Sequence, residues 1–153
     1  MMSHLLSPEG VMSALKAKSK RQALQKLSHS AAQLTGLPAR EIFDKLQQRE
    51  QLGSTGFGRG AAIAHIESGS LKTVVCLFAR LDEPIEFDSI DGEPVDLIFL
   101  LLAPEHAYSD YLKALARIAR LLREPNAVEA LRTSKDGTAI HAVLAAYGSP
   151  TVH

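Results

Sequence analysis

The N-terminal third of the chain has a spacing of hydrophobic residues that predicts two helices. Apolar residues recur every three or four positions after Ser19, and Ser19 with Gln22 forms the pattern of an N-terminal capping box. Glycine commonly ends such a helix, so Gly36 predicts its C-terminus. Pro38 is a favoured first-turn residue and predicts a second helix, which ends near Arg49 because a glycine-rich stretch follows it.

The middle of the chain holds three apolar runs that predict buried β-strands. Residues 61–65, 71–81 and 95–103 are mostly apolar on both alternating faces, which is typical of central strands covered on two sides. Residues 82–94 contain two prolines and a glycine and predict a turn-rich connection. Residues 11–15 predict a further strand at the edge of the sheet.

Helical spacing returns in the last third of the chain. Apolar residues from Leu112 to Leu122 mark one helix face. Pro125 begins a short helix that reaches Leu131, and Ser134 predicts the cap of a final helix. Two helices, three strands and three helices do not alternate as in a doubly wound fold. The order therefore predicts an α/β fold of the α+β type, a mixed β-sheet covered by helices on both faces.

Composition and charge exclude several classes of protein. The length suits one domain over residues 1–153, and 17 basic side chains balance 17 acidic ones, so no net charge attracts nucleic acid or an anionic membrane. The longest apolar stretch, residues 97–103, is too short to cross a bilayer, and the N-terminus lacks a signal-peptide pattern. The single cysteine, Cys76, excludes an internal disulfide, and the histidines lack metal-ligand spacing. We therefore expect a cytoplasmic protein with no membrane insertion, no nucleic-acid partner and no metal.

The residues with the most distinctive chemistry lie between Arg49 and His65. Four glycines in this stretch flank two hydroxyl residues, and a short strand that ends in His65 follows. Glycines allow backbone N–H groups to approach an anion closely, and arginine offers a planar fork for phosphate oxygens. A neutral imidazole with a pKa of about 6.5 is a competent nucleophile. The stretch thus predicts an oxyanion site beside a nucleophilic histidine. The residues expected around the anion are Ser54, Thr55, Gly56 and Gly58.

The same glycines fit neither of the common nucleotide-binding patterns. A P-loop requires Lys followed by Ser or Thr after its last glycine, whereas Ala61 and Ala62 follow here. The dinucleotide fingerprint requires a strand before the glycines and a helix after them, and this loop has the reverse order. We therefore expect neither ATP nor NAD, and no other cofactor.

Two motifs resemble those of a known family. The first runs from Leu52 to Gly60 and continues through Ala62-Ile63-Ala64 to His65. The second comprises residues 84–88, Asp91, and residues 94–97 and 99–104. In this order they resemble the enzyme IIA domains of the bacterial sugar phosphotransferase system, of the fructose/mannitol type, and in particular their nitrogen-regulatory branch. The resemblance extends over nearly the whole chain.

The resemblance implies that His65 is the phosphorylated residue and that Arg49 binds the phosphoryl oxygens. It also implies a histidine phosphocarrier protein as the donor, with no ATP or metal at the site. Such a domain is a phosphotransfer component rather than a free-standing metabolic enzyme. A standalone chain resembles the regulatory branch, in which the phosphorylation state controls partner proteins in nitrogen, carbon or potassium regulation.

Two residues depart from the family pattern. Ala64 replaces the proline that usually precedes the active histidine, and Tyr111 stands where many relatives have a second histidine on the following helix. A tyrosine hydroxyl can still bond a phosphoryl oxygen or the imidazole, so Tyr111 is a candidate auxiliary residue. Two alternatives stay open: a sugar-specific IIA component that donates to the IIB domain of a permease, and a binding-only regulatory module that has lost phosphotransfer.

Two further expectations concern the surroundings of His65. One ring nitrogen must stay unprotonated to attack, so we expect the other to donate a hydrogen bond to a fixed acceptor such as a backbone carbonyl. Phe57, Ile66 and Ile85 are expected to form an apolar patch that a partner protein contacts.

Overall fold

The computed structural model describes residues 6–147, which form five α-helices, five strands and a short 3₁₀ turn. In chain order the elements are the 3₁₀ turn Pro8–Gly10, β1 (Val11–Leu15), α1 (Lys20–Thr35), α2 (Ala39–Gln51), β2 (Gly56–Gly58), β3 (Ala61–Ser68), β4 (Val75–Ile85), β5 (Val95–Pro104), α3 (Tyr108–Leu122), α4 (Pro125–Thr133) and α5 (Gly137–Tyr147). None of these helices combines the length and the apolar character needed to cross a membrane.

The strands form one mixed sheet in the order β1-β4-β5-β3-β2. The β1–β4 and β3–β5 pairs are parallel, whereas the β4–β5 and β2–β3 pairs are antiparallel. The register places His65 of β3 opposite Leu101 of β5. Because β2 is only three residues long, most of β3 lies at an edge of the sheet.

Helices cover both faces of this sheet. α1 and α2 contribute Leu27 and Ile42 to one core layer, whereas α3 contributes Ile118 to the other, together with residues of α4 and α5. Side chains of β3 alternate between the two layers, so that Ala64 packs in the first and Ile63 in the second. The predicted fold class, a mixed sheet between two helical layers, is confirmed.

The ends of α1 follow from local sequence. Ser19 Oγ accepts a hydrogen bond from Gln22 N at 3.1 Å, and Gln22 Oε1 accepts one from Lys18 N at 2.7 Å. In the usual capping box the second bond returns to the cap residue itself, so here it closes one residue earlier. Gly36 ends the helix with φ at 81°, in the left-handed region that glycine favours. The predicted boundaries of α1 are confirmed.

The β2–β3 hairpin differs from the prediction in two ways. β3 does not end at His65 but continues to Ser68, because the residues beyond His65 also pair with β5. The sequence predicts a loop at Gly56–Gly58, but the structure has a strand there. A tight turn with positive φ at Arg59 and Gly60 brings this segment antiparallel to β3. Backbone pairing determines this strand, since glycine has a low preference for strands.

Three other boundaries also differ from the prediction. The cap of α5 is Asp136 rather than Ser134, because Asp136 Oδ1 accepts a hydrogen bond from Ala139 N at 2.9 Å and the helix begins at Gly137. β4 begins at Val75 rather than Leu71 and continues to Ile85, so the turn-rich connection is shorter than expected. α3 begins at Tyr108, before the first residue of the predicted apolar stripe. Its N-cap residue is Ala107, which makes no side-chain cap hydrogen bond, so no capping residue in the sequence marks this helix start.

Candidate functional site

A cleft of about 350 Å³ lies at the edge of the sheet, between β3, the end of α2 and α3. The side chains of Leu115 and Ala119 on α3 form its apolar side, and Phe57 and Ile63 also contact it. The structure therefore gathers residues that are distant in sequence around one hollow. The predicted site residues that line it are Arg49, Ser54, Thr55, Gly56 and His65.

The imidazole of His65 is half-buried and lies on the face of β3 that α3 covers. Its ring packs against the ring of Tyr111, with the centroids 5.3 Å apart and the planes inclined at 47°. The Tyr111 ring in turn lies 6.1 Å from that of Tyr108. Burial raises the pKa of Tyr111, so its hydroxyl stays protonated at neutral pH and can donate a hydrogen bond. The structure thus places the candidate auxiliary residue beside the candidate nucleophile.

Burial is the main reason that the pKa of His65 lies below its ordinary value of 6.5. The guanidinium of Arg49 lowers this pKa further, because a nearby positive charge disfavours the imidazolium form. The carboxylates of Glu67 and Glu50 act in the opposite direction. The ring is therefore neutral at neutral pH, which is the form that can attack phosphorus.

The expected hydrogen bond from the second ring nitrogen of His65 is absent. Within residues 6–147 neither ring nitrogen of His65 forms a hydrogen bond to a protein group. By contrast, Nε2 of His141 lies within hydrogen-bond distance of Leu6 O, at 2.9 Å. The expectation of a fixed protein acceptor is therefore wrong. The physical reason is the position of His65 inside a strand, where backbone carbonyls lie in the plane of the sheet and the side chain stands perpendicular to it.

Arg49 lies in the last turn of α2, where a positive charge is favourable to the helix dipole. Its Nη1 donates a hydrogen bond to Gly53 O at 2.8 Å, which anchors the loop that follows the helix. A guanidinium has five N–H donors, so this bond uses only one of them. In the part of the chain that the structure describes, no carboxylate forms an ion pair with Arg49. Its positive charge is thus available to an anion at His65.

The two hydroxyls expected to bind an anion already have protein partners. Ser54 Oγ donates to Phe87 O at 2.8 Å and accepts from Gly56 N at 3.0 Å. Thr55 Oγ1 donates to the carboxylate of Glu50, and Thr55 N donates to the same carboxylate at 3.2 Å. Both residues line the cleft, but their hydroxyls are directed into the protein. Their role as phosphoryl ligands stays a prediction.

Glu50 and Lys20 are polar residues near the site that sequence reasoning missed. Glu50 Oε1 lies 2.6 Å from Lys20 Nζ, and the Glu50 side chain is only 7% exposed. The Lys20 ammonium also lies 4.7 Å from the centroid of the Phe87 ring. The one signal in the sequence is that Glu50 follows Arg49 directly. Nothing in the sequence indicates that Lys20, at the start of α1, reaches the same place.

Gly56 and Gly58 have different surroundings, although the sequence predicts both at the same anion. A Cβ on Gly56 would lie 2.2 Å from Ser89 Oγ, so Ser89 fills the space that a side chain would need. Gly58 has a φ of 109°, in the region that favours glycine. Gly58 lines a second groove of about 650 Å³, beside the cleft that contains His65. Of these two glycines, only Gly56 belongs to the wall of the His65 cleft.

The expected apolar patch is not formed. Phe57 is 40% exposed, but Ile66 and Ile85 are buried at 4% and 5% exposure. Both isoleucines pack in the core layer beneath α1 and α2, because strand alternation turns them away from solvent. The prediction is therefore wrong for these two residues. The large exposed apolar residues in residues 6–147 are Leu52, Phe57, Ile90, Tyr108 and Leu112.

The polar groups of the cleft suit an anion. Arg49 and His65 line the cleft and supply a positive charge and a neutral nitrogen nucleophile. Tyr111, whose ring packs on that of His65, adds a hydroxyl donor next to them. Among residues 6–147, no group of three or more His, Cys, Asp or Glu side chains is placed to hold a metal ion. The arrangement can bind an oxyanion and attack its central atom.

Comparisons relate the chain to known proteins. The sequence model of the family described as "Phosphoenolpyruvate-dependent sugar phosphotransferase system, EIIA 2" matches residues 4–147. A nitrogen regulatory protein of Bradyrhizobium diazoefficiens is 56% identical over 92% of this chain and 92% of its own length. One from Pseudomonas aeruginosa is 34% identical over 94% of each chain. The crystal structure of nitrogen regulatory protein IIA-Ntr from Neisseria meningitidis superimposes with a TM-score of 0.89 at 31% identity, covering 94% of this chain and 98% of that one.

Proposed function

The chain belongs to the EIIA 2 family of the phosphoenolpyruvate-dependent sugar phosphotransferase system, and on that premise we propose that it is a regulatory phosphocarrier that accepts a phosphoryl group on His65. The donor is a histidine phosphocarrier protein, and the phosphorylation state is signalled to regulatory partners in the cytoplasm. Similarity over almost the full length to proteins named nitrogen regulatory protein supports a regulatory output. The observation that carries the proposal is a neutral imidazole in one cleft with a guanidinium that forms no ion pair to a carboxylate among residues 6–147.

The proposed reaction is a direct transfer between two histidines. The lone pair of one ring nitrogen of His65 forms a bond to phosphorus while the N–P bond of the donor breaks, and that electron pair returns to the donor imidazole. Phosphoryl transfer asks mainly for positioning and charge stabilisation. Arg49 stabilises the negative phosphoryl oxygens, and the Tyr111 hydroxyl donates a hydrogen bond to one of them. The lowered pKa of His65 keeps its ring in the reactive neutral form.

The loop residues have a limited role in this proposal. Ser54, Thr55 and Gly56 form the wall of the cleft and restrict where the phosphoryl group can lie. We assign them this steric role because their hydroxyls are bonded to Phe87 O and to Glu50. Gly58 has a structural role in this proposal, because it leads into the turn that holds β2 against β3.

A partner protein can detect phosphorylation through charge. The phosphoryl group adds close to two negative charges at neutral pH, in a protein whose 17 basic and 17 acidic residues otherwise balance. Phe57 and Tyr108 are exposed aromatic residues at this location, since Phe57 lines the cleft and Tyr108 contacts Tyr111. Aromatic residues are frequent anchors in protein interfaces. The same surface can therefore contact a partner and expose it to the new charge.

The proposal is tested by incubating the protein with phosphoenolpyruvate, enzyme I and the histidine phosphocarrier protein and measuring an acid-labile adduct. We expect labelling of the wild type and of His29→Ala, which removes an exposed histidine of α1, and no labelling of His65→Ala. Arg49→Gln is expected to slow labelling by about 10²–10³-fold, the effect of removing one preorganised donor.

Three results would contradict the proposal or part of it. Equal labelling of the wild type and His65→Ala would show that another residue accepts the phosphoryl group. No labelling of the wild type by its own phosphocarrier protein would favour the binding-only alternative. Rapid transfer from the labelled protein to the IIB domain of a sugar permease would instead favour the sugar-specific alternative.

A further inference from the structure

Glu50 joins α1, α2 and the loop of the His65 cleft through one carboxylate. It lies in the last turn of α2 and pairs at 2.6 Å with Lys20 Nζ at the start of α1. The same carboxylate accepts hydrogen bonds from Thr55 N at 3.2 Å and from Thr55 Oγ1, both in the cleft loop. α1, α2 and the loop are therefore connected at a single buried group.

Because the Glu50 side chain is buried, its contacts restrict how far the loop can move relative to α2. The Glu50 side chain is 7% exposed, and burial of a carboxylate is strongly unfavourable unless charged and hydrogen-bonding partners satisfy it. Displacement of Thr55 would remove two of its three partners and leave a charge poorly satisfied in the interior. The position of the loop relative to α2 is thus strongly determined.

The loop that Glu50 holds also contacts the strand of the nucleophile. Thr55 O accepts a hydrogen bond from Ile63 N at 3.0 Å, and Ile63 precedes His65 on the same face of β3. Arg49, next to Glu50 in α2, bonds to Gly53 O at 2.8 Å. Arg49 and Thr55 line the cleft whereas Glu50 does not, so Glu50 acts on the site through its neighbours.

We propose that Glu50 is a positioning residue for phosphoryl transfer, which holds the loop and Arg49 at the distance from His65 that the reaction requires. Lys20 serves as its counter-ion, and Thr55 transmits its position to β3. This role rests on the proposed function, because it is defined by transfer to His65. It assigns the Thr55 hydroxyl to Glu50 rather than to the phosphoryl group.

The test compares single-turnover phosphorylation of Thr55→Val, Thr55→Ser, Glu50→Ala and the double variant Glu50→Ala/Thr55→Val with that of the wild type. The matched control is Asp44→Ala, which removes a 58% exposed carboxylate from the same helix. The rate at saturating donor, the donor concentration for half-maximal rate and the melting temperature are measured separately. Assays at pH 8 keep His65 neutral in all variants, since loss of Glu50 lowers the pKa of His65 further.

We expect Thr55→Val and Glu50→Ala to reduce the rate at saturating donor by about ten- to a hundredfold, the size of effect produced by a misplacement of about 1 Å. The donor concentration for half-maximal rate stays the same, because the docking surface is intact. Thr55→Ser restores most of the rate, since it keeps the hydroxyl. The double variant is no slower than Glu50→Ala, because both changes break one interaction.

The role is overturned if Thr55→Val and Glu50→Ala melt at lower temperature but transfer at the wild-type rate, which is the behaviour of a purely structural ion pair. It is also overturned if Thr55→Ser is as slow as Thr55→Val. Failure of the proposed function gives a different pattern, because then neither the wild type nor Asp44→Ala is labelled on His65.

Discussion

Replacement of Gly56 by alanine measures how closely the wall of the cleft is packed. A Cβ at this position would lie 2.2 Å from Ser89 Oγ, 2.9 Å from Ser89 Cβ and 3.1 Å from Ser89 Cα. Rotation of the hydroxyl can relieve only the first of these contacts. The other two involve the Cβ and backbone of a buried residue, so β2 or the loop at residues 86–94 must move.

The expected cost follows from this geometry. Ordinary contacts of a Cβ begin at 3.4 Å, so even after the Oγ has rotated away, the contact of 2.9 Å with Ser89 Cβ requires a shift of about 0.5 Å. Overpacking of this kind costs about 1–3 kcal/mol. For a domain of this size each kcal/mol corresponds to roughly 2–4 °C of melting temperature. We therefore expect Gly56→Ala to melt roughly 2–12 °C below the wild type, and to be phosphorylated more slowly because the wall has moved.

A second substitution tests the stated cause. Ser89→Gly removes the Oγ and Cβ, and that hydroxyl is buried without a hydrogen-bond partner among residues 6–147, so no hydrogen bond is lost. In the Gly56→Ala background it leaves only the contact of 3.1 Å with Cα, which a small adjustment relieves. The double variant should therefore be more stable than Gly56→Ala alone, despite a cost of about 0.5–1 kcal/mol for the added glycine.

Thermal unfolding followed by circular dichroism is the appropriate assay. Gly69→Ala is the matched control, because its Cβ would meet only the flexible Glu105 carboxylate at 3.3 Å. This control is expected to change stability by no more than about 0.5 kcal/mol. The reasoning is refuted if Gly56→Ala is as stable as Gly69→Ala, or if the effects of Gly56→Ala and Ser89→Gly simply add.

Two other predictions concern a half-buried cation and the nucleophile. Arg80 donates hydrogen bonds to backbone carbonyls of β1 and of the end of α4, so Arg80→Met should lower stability by about 3 kcal/mol and the melting temperature by roughly 6–12 °C. An equal fall in the stability of Arg120→Met, which removes an exposed arginine of α3, would contradict this explanation. An NMR titration of His65 should give a pKa below 6.5, which rises in Arg49→Gln and falls in Glu67→Gln. A wild-type pKa at or above 6.5 would show that the ring is not desolvated.

Local sequence was sufficient for those features whose cause is local. Ser19 and Gly36 determine the ends of α1 because capping and left-handed backbone conformation depend on the nearest residues. The apolar runs of β3, β4 and β5 indicate buried strands, since a strand covered on both faces needs apolar residues at every position. The association of Arg49 with His65 was accessible because both lie in one short segment with a glycine-rich loop.

Features that depend on pairing between distant segments could not be found in this way. β2 exists because a turn returns the chain to β3, although its glycines disfavour a strand. Ile66 and Ile85 were wrongly expected at the surface, because the side of the sheet that each faces depends on the strand register. The proximity of Tyr111 to His65 was expected from family resemblance and not from any spacing in the chain.

The chain's own order of residues thus determined the helices, the three main strands, the fold class and the segment that contains the candidate nucleophile. Tertiary structure alone decided which groups support the walls of the cleft around that nucleophile: Lys20 at Glu50, Ser89 against Gly56, and Glu50 as the partner of the Thr55 hydroxyl. The physical reason is that helix caps and hydrophobic periodicity act within a few residues. Hydrogen bonds, ion pairs and close packing act between whichever groups the fold brings within a few ångströms.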